Sequence, residues 1–557
     1  MSGLLNGYPT VRGGTRRLAI ALTALVVGEN AAPGTEVGQL TGPAEGWSYH
    51  LVDNAGDMFA LDGRRLVVGA TPLNYATTPF PKLLVAATDG KRAAADLLAV
   101  SVRRALPELP FAAGARVAAI GDSQIGYNNT FGAKVSEANK AAYSTAYGFI
   151  EQAQSLDQRF RFDNWFDPAD PRGLNYAGAN QGLHGDHMEW LSQPQYLGGM
   201  TARLPAVLAR RPDILIIEGG LNTLHSGDDT DGKPLPASYV IAKLDRMLVD
   251  ARAAGVWTIL VAVYPTGLWP AGDSRHAELA KLAEWCRAQA GREGVIGVLD
   301  AADLLAPAGV LDAAMFKADK THLSVRGALA VARQKLLPLL QTAIRPGSTF
   351  DQDPGRANLL AASVANMAGT GGTTGGGLSA NGETRSGQVA TGLTLTIGRN
   401  CSFVASKNTI AGPSEEQVIA ITPGGTSAGA YAELTLSGMV AMEAADPNQW
   451  YQAFLEVETG GDGLGFASLI ARQQQGATIV TQTQALQRES SADFALGDGG
   501  GARSFWLQTE PFRSADAYDR IDIRLLLTFS KTTAPFTVRV RKPIVRRVAD
   551  PRPAWGY

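Results

Sequence analysis

The residues best suited to chemistry lie in the middle of the chain. Ser123 sits in Gly121-Asp122-Ser123-Gln124, directly after the apolar run 116–120. Far downstream, Asp319-Lys320-Thr321-His322 precedes a helical pattern. A serine hydroxyl is a weak nucleophile at neutral pH and needs a base to take its proton during attack. Histidine suits that task, with an unperturbed pKa of about 6.5. A carboxylate three residues before it can accept the other ring N–H and fix the tautomer. Ser123, His322 and Asp319 are therefore candidates for nucleophile, base and orienter in acyl transfer. Each tripeptide alone is a common turn or loop, and only the ordered set carries weight.

Such a set needs a scaffold that joins distant positions. From 112 to 343 strand and helix patterns alternate. Strands are expected at 116–120, 160–166, 213–218, 257–263 and 295–299, and helices at 137–156, 200–210, 239–254, 274–290 and 324–343. This alternation predicts a parallel sheet covered on both faces, with its ligand site beyond the carboxyl ends of the strands. Ser123 and Asn222 both follow such strands.

Four short motifs thus occur in order: Gly121-Asp122-Ser123-Gln124, then Gly185 within Gly182-Leu183-His184-Gly185-Asp186, then Gly220-Leu221-Asn222, then Asp319-Lys320-Thr321-His322. Over about residues 112–342 the chain resembles the SGNH (GDSL-like) hydrolase superfamily. The resemblance implies a flavodoxin-like three-layer α/β domain and a serine carboxylic ester hydrolase that works through an acyl-serine. It implies oxyanion donors at the Ser123 and Gly185 backbone N–H groups and the Asn222 side-chain amide. Losing one such donor typically costs ~3 kcal/mol in the transition state. Gln124 stands where the family name has leucine, a position without chemistry in that mechanism. Thr223 stands where many members have aspartate. Asp122 is read as a loop-stabilising carboxylate.

Other residues are open to two readings. His184 and His187 flank Gly185-Asp186 and could line a cleft, and a histidine pair without a third ligand is a weak metal signal. His225 could line the cleft or be a plain loop residue. His50 and His276 read as structural or exposed. Trp165, Phe166 and Tyr176 could wall a sugar-binding cleft, with core packing as the default for aromatics. Trp450, Tyr451 and Trp506 could stack on sugars further along. No cofactor is expected.

The 557 residues are too many for one core. Three domains are expected: 1–105, 106–345 and 346–557. Charged residues are 18% and the formal charge is −2, which gives no electrostatic case for nucleic acid or an anionic membrane. Two cysteines, Cys286 and Cys401, fall in different expected domains and support no disulfide framework. Arg16 and Arg17 before the apolar run 18–27 mimic a signal peptide, but no clear cleavage site follows, and a strand over 17–27 is preferred. No segment is long and apolar enough to span a bilayer as a helix.

Residues 16–105 read as short strands at 36–40, 48–51, 65–68, 82–87 and 97–102, separated by turns. Glu29-Asn30-Ala31-Ala32-Pro33-Gly34-Thr35, Met58-Phe59-Ala60-Leu61-Asp62-Gly63 and Ala87-Thr88-Asp89-Gly90 resemble a cadherin-like repeat. Such repeats bind calcium through clustered carboxylates. Here Asn74-Tyr75-Ala76 and the linker Arg103-Arg104-Ala105-Leu106-Pro107 lack that charge, so a structural sandwich without calcium is expected. After 345, the glycine-rich stretch 369–377 is a linker or a loop of a β domain. Nine strands are expected beyond it, from 393–397 to 536–540, as a β-sandwich or jelly roll resembling carbohydrate-binding modules.

The expectation is a modular O-acetyl esterase acting on a polysaccharide, located extracellularly, at a cell surface or on a virion. The alternatives are an adhesin, such as a phage-tail glycan-binding protein, or an esterase or lipase of small or lipid esters. The oligomeric state is left open.

Overall fold

The computed structural model describes residues 19–555 apart from 43–45, 76, 132–143, 147, 167–175, 191–197, 229–231, 376–382, 412–413, 426–430, 443–448 and 487–496. It divides into two compact units, Met1–Leu106 with Arg252–Gly255, and Pro107–Ala251 with Val256–Tyr557.

Among its described residues up to Leu106, the first unit is built of strands and loops. Glu36–Thr41, Arg65–Val68, Phe59–Asp62 and Ala21–Leu22 form one sheet, and Ser48–Asp53, Lys82–Thr88 and Ala93–Ala99 another. Lys82–Thr88 alternates buried and half-buried residues, as a strand with one face on the core must. Leu40, Phe59, Leu66, Leu83, Val85 and Val100 fill that core. The single strand expected over 17–27 is instead two, Ala21–Leu22 and Val26–Gly28, in different sheets. Between them Thr23 exchanges hydrogen bonds with Gln39, which turns the chain away from the first sheet. Residues 16–18 lie outside the described residues. Glu29 accepts the Tyr75 N–H at 3.3 Å and pairs with Arg104 at 3.6 Å, so a cation of the chain itself faces this carboxylate.

The second unit contains the parallel sheet. Its strand order is Phe160–Arg161, Ala115–Gly121, Ile214–Ile217, Trp257–Val261, Val295–Leu299, with every pairing parallel. Ile214–Ile217 is buried on both faces, which explains its unbroken apolar sequence. Ala237–Ala253 and Arg275–Arg287 are helices close to their expected spans.

Two expected elements differ. Among the described residues of 137–156, only Phe149–Leu156 is helical. Ser144–Ala146 pairs antiparallel with Asn128–Phe131, and 137–143 lies outside the described residues. The last helix is interrupted: Val325–Val331 and Leu337–Ala343 are α, and Ala332–Leu336 is a π turn. Pro338 supplies no N–H to the preceding turn, which favours such a slip.

After residue 345 two further sheets stack. One contains Thr394–Arg399, Tyr431–Ala441, Arg520–Ser530, Leu464–Gln475 and Thr478–Ala485, with Thr373–Thr374 at its edge. The stretch 369–375 is therefore part of the β fold and not a free linker. The other contains Cys401–Ala411, Ser414–Pro423, Phe536–Val548 and Trp450–Thr459. This second sheet continues into the hairpin Asn164–Phe166/Tyr176–Gly178, through a parallel pairing of Phe166 with Phe512. Trp555 is fully buried, with its indole N–H 3.4 Å from Asp163 and the Arg116 guanidinium over its ring. Of the two readings open for the C-terminal aromatics, core packing holds: Tyr451 is buried and bonds Tyr518, Trp450 is buried under Arg552, and Trp506 packs with Phe350, Phe454 and Ile544.

Glu151 is buried on the helix Phe149–Leu156, near Ala485, Trp506 and Leu507, and burial pushes its carboxyl up to about 8. An unfolded glutamate titrates at about 4.3. Between these values the folded chain keeps a proton that the unfolded chain releases, so stability falls by about 1.4 kcal/mol per pH unit as pH rises. Glu151→Gln removes that dependence. The variant is expected to melt above the wild-type chain at pH 8, with the gap closing towards pH 5; an equal gap at both pH values would contradict this.

Candidate functional site

The strand Ala115–Gly121 ends against Glu218, which follows the neighbouring strand Ile214–Ile217. A Cβ at Gly121 would lie 2.4 Å from Ile125 and 2.8 Å from Glu218, so glycine is required there. The chain then turns into the short helix Ser123–Gly126. Asp122 caps it, accepting the Gln124 N–H at 3.0 Å. Asp122 and Glu218 are both buried, and the Asp122 N–H donates to Glu218 at 3.3 Å. Burial drives both carboxyls up; the Asp122 charge pushes Glu218 further, well above its usual range, while the hydrogen bond from Glu218 pulls Asp122 back down.

Ser123 Oγ lies 2.7 Å from His322 Nε2, and His322 Nδ1 lies 2.6 Å from Asp319 Oδ2. The two halves of this relay are 199 positions apart in the chain. The loop carrying Asp319 and His322 is tightly wound. Asp319 Oδ1 accepts the N–H groups of Thr321 and His322, both at 2.9 Å, and Lys320 takes a left-handed φ of 56°. Burial opposes the charge on Asp319, but the hydrogen bonds from His322 and these N–H groups outweigh it and hold the carboxyl below its ordinary range.

Gly185 has a φ of 75°, a conformation that favours glycine. Next to it the Asp186 carbonyl accepts one Asn222 amide hydrogen at 2.8 Å. The buried Asp186 carboxylate pairs with Arg203 at 2.7 Å, and burial, countered by that arginine, leaves it at about 6. Among the described residues no protein group accepts the Ser123 or Gly185 backbone N–H. Asn222 thus has one amide hydrogen anchored and one left over. Thr223 accepts the Met188 N–H at 3.0 Å and donates to Asp228 at 2.5 Å, which fixes the loop that presents Gly185.

The remaining candidates separate. His184 is exposed, edge-on to Tyr127 at 4.9 Å, and lies over Gly126. His187 is buried, packed edge-on against Trp190 and 3.5 Å from Asp228, so it does not face a cleft. Trp165 is 1% exposed. It sits in the hairpin that joins the C-terminal sheet, which removes it from any substrate wall. Tyr176 lies on the partner strand of that hairpin, and its side chain is outside the described residues, as is that of Phe166. His225 receives the Trp269 indole N–H at 2.9 Å. His276 lies within 3.3 Å of the Trp269 and Pro270 carbonyls, and His50 sits on the strand Ser48–Asp53 of the other unit.

Sequence reasoning passed over three groups. Tyr127 tilts against the His322 ring at 5.0 Å, with the Lys317 ammonium 3.8 Å from its ring centre. Its spacing of four from Ser123, one helical turn, is the signal that could have found it. Gln124 is buried and its side-chain amide donates to the Thr321 carbonyl at 2.8 Å. It thereby ties the Ser123 helix to the His322 loop. Trp269 belongs to a loop that also reaches this region: the Gly267 N–H donates to Lys320, and Thr266 bonds Thr321 at 3.1 Å.

The GDSL-like lipase/acylhydrolase family matches residues 119–330. No curated protein matches the chain. Among solved structures, a carbohydrate esterase family 3 protein from Talaromyces cellulolyticus is 21% identical, over 41% of this chain and 96% of that one, with a TM-score of 0.26. A variant of an acetyl xylan esterase from Geobacillus stearothermophilus is 17% identical, over 43% of this chain and 100% of that one, with a TM-score of 0.30. Human protocadherin-24 EC1-2 is 15% identical, over 19% of this chain and 54% of that one, with a TM-score of 0.15.

Gln124→Met keeps the side-chain length but leaves the buried Thr321 carbonyl without its donor. The rate at which a fluorophosphonate labels Ser123 is expected to fall about tenfold, a loss of ~1.4 kcal/mol from a misaligned base. Unchanged labelling would show that the tether does not position His322.

Proposed function

We propose, for a chain whose residues 119–330 form a GDSL-like lipase/acylhydrolase domain and which is a serine esterase, that the ester it cleaves is an O-acetyl group on a polysaccharide. One observation carries the mechanism: the continuous relay Ser123 Oγ, His322, Asp319 at 2.7 and 2.6 Å. In this reading Ser123 Oγ attacks the acetyl carbonyl while His322 Nε2 takes its proton. Asp319 holds the imidazole tautomer and faces the imidazolium that forms. The carbonyl oxygen becomes an oxyanion met by the Ser123 and Gly185 N–H groups and the spare Asn222 amide hydrogen. Collapse breaks the ester C–O bond, and His322 returns the proton to the departing sugar hydroxyl. Water then attacks acetyl-Ser123 by the same steps, releasing acetate and restoring the serine.

Two features support a polymeric substrate. The relay opens to the surface at its Asp319 end, whose side chain is 46% exposed, while Ser123 is buried, so a long chain can lie across the opening. β-rich segments also lie on both sides of the hydrolase segment in sequence, at 1–105 and 346–557, and we assign them as sandwich domains around a 106–345 catalytic domain, the second of them sharing a sheet with it. Such modules often hold a polymer near a cleft. The reading also places the enzyme outside the cell, on a cell surface or on a virion, where such glycans occur. His184 and Tyr127 are the side chains assigned to substrate contact beside the relay.

Acetate release from O-acetylated glycans is expected to fall by about 10⁴-fold or more in Ser123→Ala, and by about 10²–10³-fold in Asn222→Ala. Mass spectrometry should find a phosphonyl adduct on Ser123 of the wild-type chain. Turnover of small aryl esters without any glycan deacetylation would overturn the polysaccharide assignment. Glycan binding that survives Ser123→Ala, with no adduct on Ser123, would favour an adhesin.

A further inference from the structure

The helix Leu221–Ser226 turns only part of its surface outwards. Leu221, Thr223 and Leu224 are buried, while Asn222, His225 and Ser226 are partly exposed. Residues three apart share a helix face, so His225 lies beside the amide assigned to the oxyanion. A second element approaches from the His322 side. The loop 264–274 bonds the acid–base loop through Thr266 and Gly267, and bonds His225 through Trp269.

The contacts of His225 define its protonation. The Trp269 indole N–H can only donate, so His225 Nδ1 must accept it. The Arg275 guanidinium, another pure donor, lies 3.2 Å from the same nitrogen. The ring proton is thereby confined to Nε2. Burial, then the positive charge of Arg275, lowers the pKa of the ring below its usual value and keeps it neutral. Arg275 itself is neutralised by a two-pronged pair with Asp273, at 2.9 and 2.6 Å. The cluster therefore offers a fixed neutral N–H donor and no net charge. That chemistry suits an uncharged, hydroxyl-rich group rather than a carboxylate, a phosphate or an acyl tail.

We propose that His225 donates its Nε2–H to a hydroxyl of the sugar that carries the scissile ester, in a subsite formed by the helix Leu221–Ser226 and the loop 264–274. This rests on the polysaccharide reading and deepens it. His225 acts as a positioning residue for the leaving group: it takes no proton in the reaction and orients the sugar over Ser123. Trp269 and Arg275 act through it, as the lock on its tautomer.

Asparagine and glutamine separate the two ring nitrogens. His225→Asn keeps an acceptor near the Nδ1 position but has nothing at Nε2. His225→Gln places an amide N–H near Nε2. The probes are O-acetylated xylan, mannan and pectin, with 4-nitrophenyl acetate as the small ester. For the glycan turned over best, the ratio of its kcat/KM to that of the aryl ester is expected to fall about tenfold in His225→Asn, mainly through KM, and to return within about threefold in His225→Gln. Melting temperatures would report the fold of each variant. A ratio unchanged in His225→Asn, or parallel loss on both substrates in both variants, would overturn the subsite while leaving the esterase reading intact. Acetate release by the wild-type chain from none of the three glycans would instead remove the polysaccharide reading, and this inference with it.

Discussion

The site depends on holding a 2.7 Å hydrogen bond between two loops that are 199 positions apart. Ser123 is fixed from below, by a strand buried in the parallel sheet and by a glycine that lets the chain approach Glu218. His322 is fixed from the side, by a loop wound around the Asp319 carboxylate. Neither anchor alone sets the distance between them. The Gln124 amide on the Thr321 carbonyl does so directly, and Thr266 braces the same threonine from a third segment. An error of one ångström at such a contact can cost about two orders of magnitude in rate. A buried polar tether is therefore well placed next to the nucleophile, where an apolar side chain would give packing without direction.

This explains which parts of the site could be read from the sequence. Ser123, His322, Asp319 and the strands beneath them announce themselves, because reactive side-chain types follow apolar runs at strand ends. Gly185 and Asn222 became candidates only through a family likeness, since a glycine and an asparagine have many uses in loops. Gln124 was passed over because its value lies in where the side chain ends, 197 positions away, and no local pattern records that. Trp269 was invisible for the same reason: its indole matters through His225.

The fold shows the same division. The alternating start of the strand Phe536–Val548 was legible, over 536–540, but its continuation was not, because the alternation of buried and half-buried residues ends there. The strand Cys401–Ala411 was missed because its polar residues, including Ser406, Lys407 and Asn408, dilute the apolar signal. The run 137–156 has helical spacing, yet Ser144–Ala146 is claimed by the earlier strand Asn128–Phe131. Trp165 looked like a cleft residue because nothing near it in sequence reveals that Phe512 closes the sheet beside its neighbour. In each failure a distant partner overrode a local preference.

That hairpin, Asn164–Phe166 with Tyr176–Gly178, bears on how the chain can be cut and recombined. It extends a sheet whose other strands come from residue 385 onwards. Its edge is covered by Phe512–Arg513, and Trp555 beside it shields Asp163 and Arg116. A hydrolase excised at residue 345 would therefore carry an uncapped strand with Phe166 at its rim, open to pairing with any passing chain. The sandwich is in this respect a lid on a reactive backbone edge, and grafting the catalytic segment onto another module would need a replacement for that lid as much as a new tether.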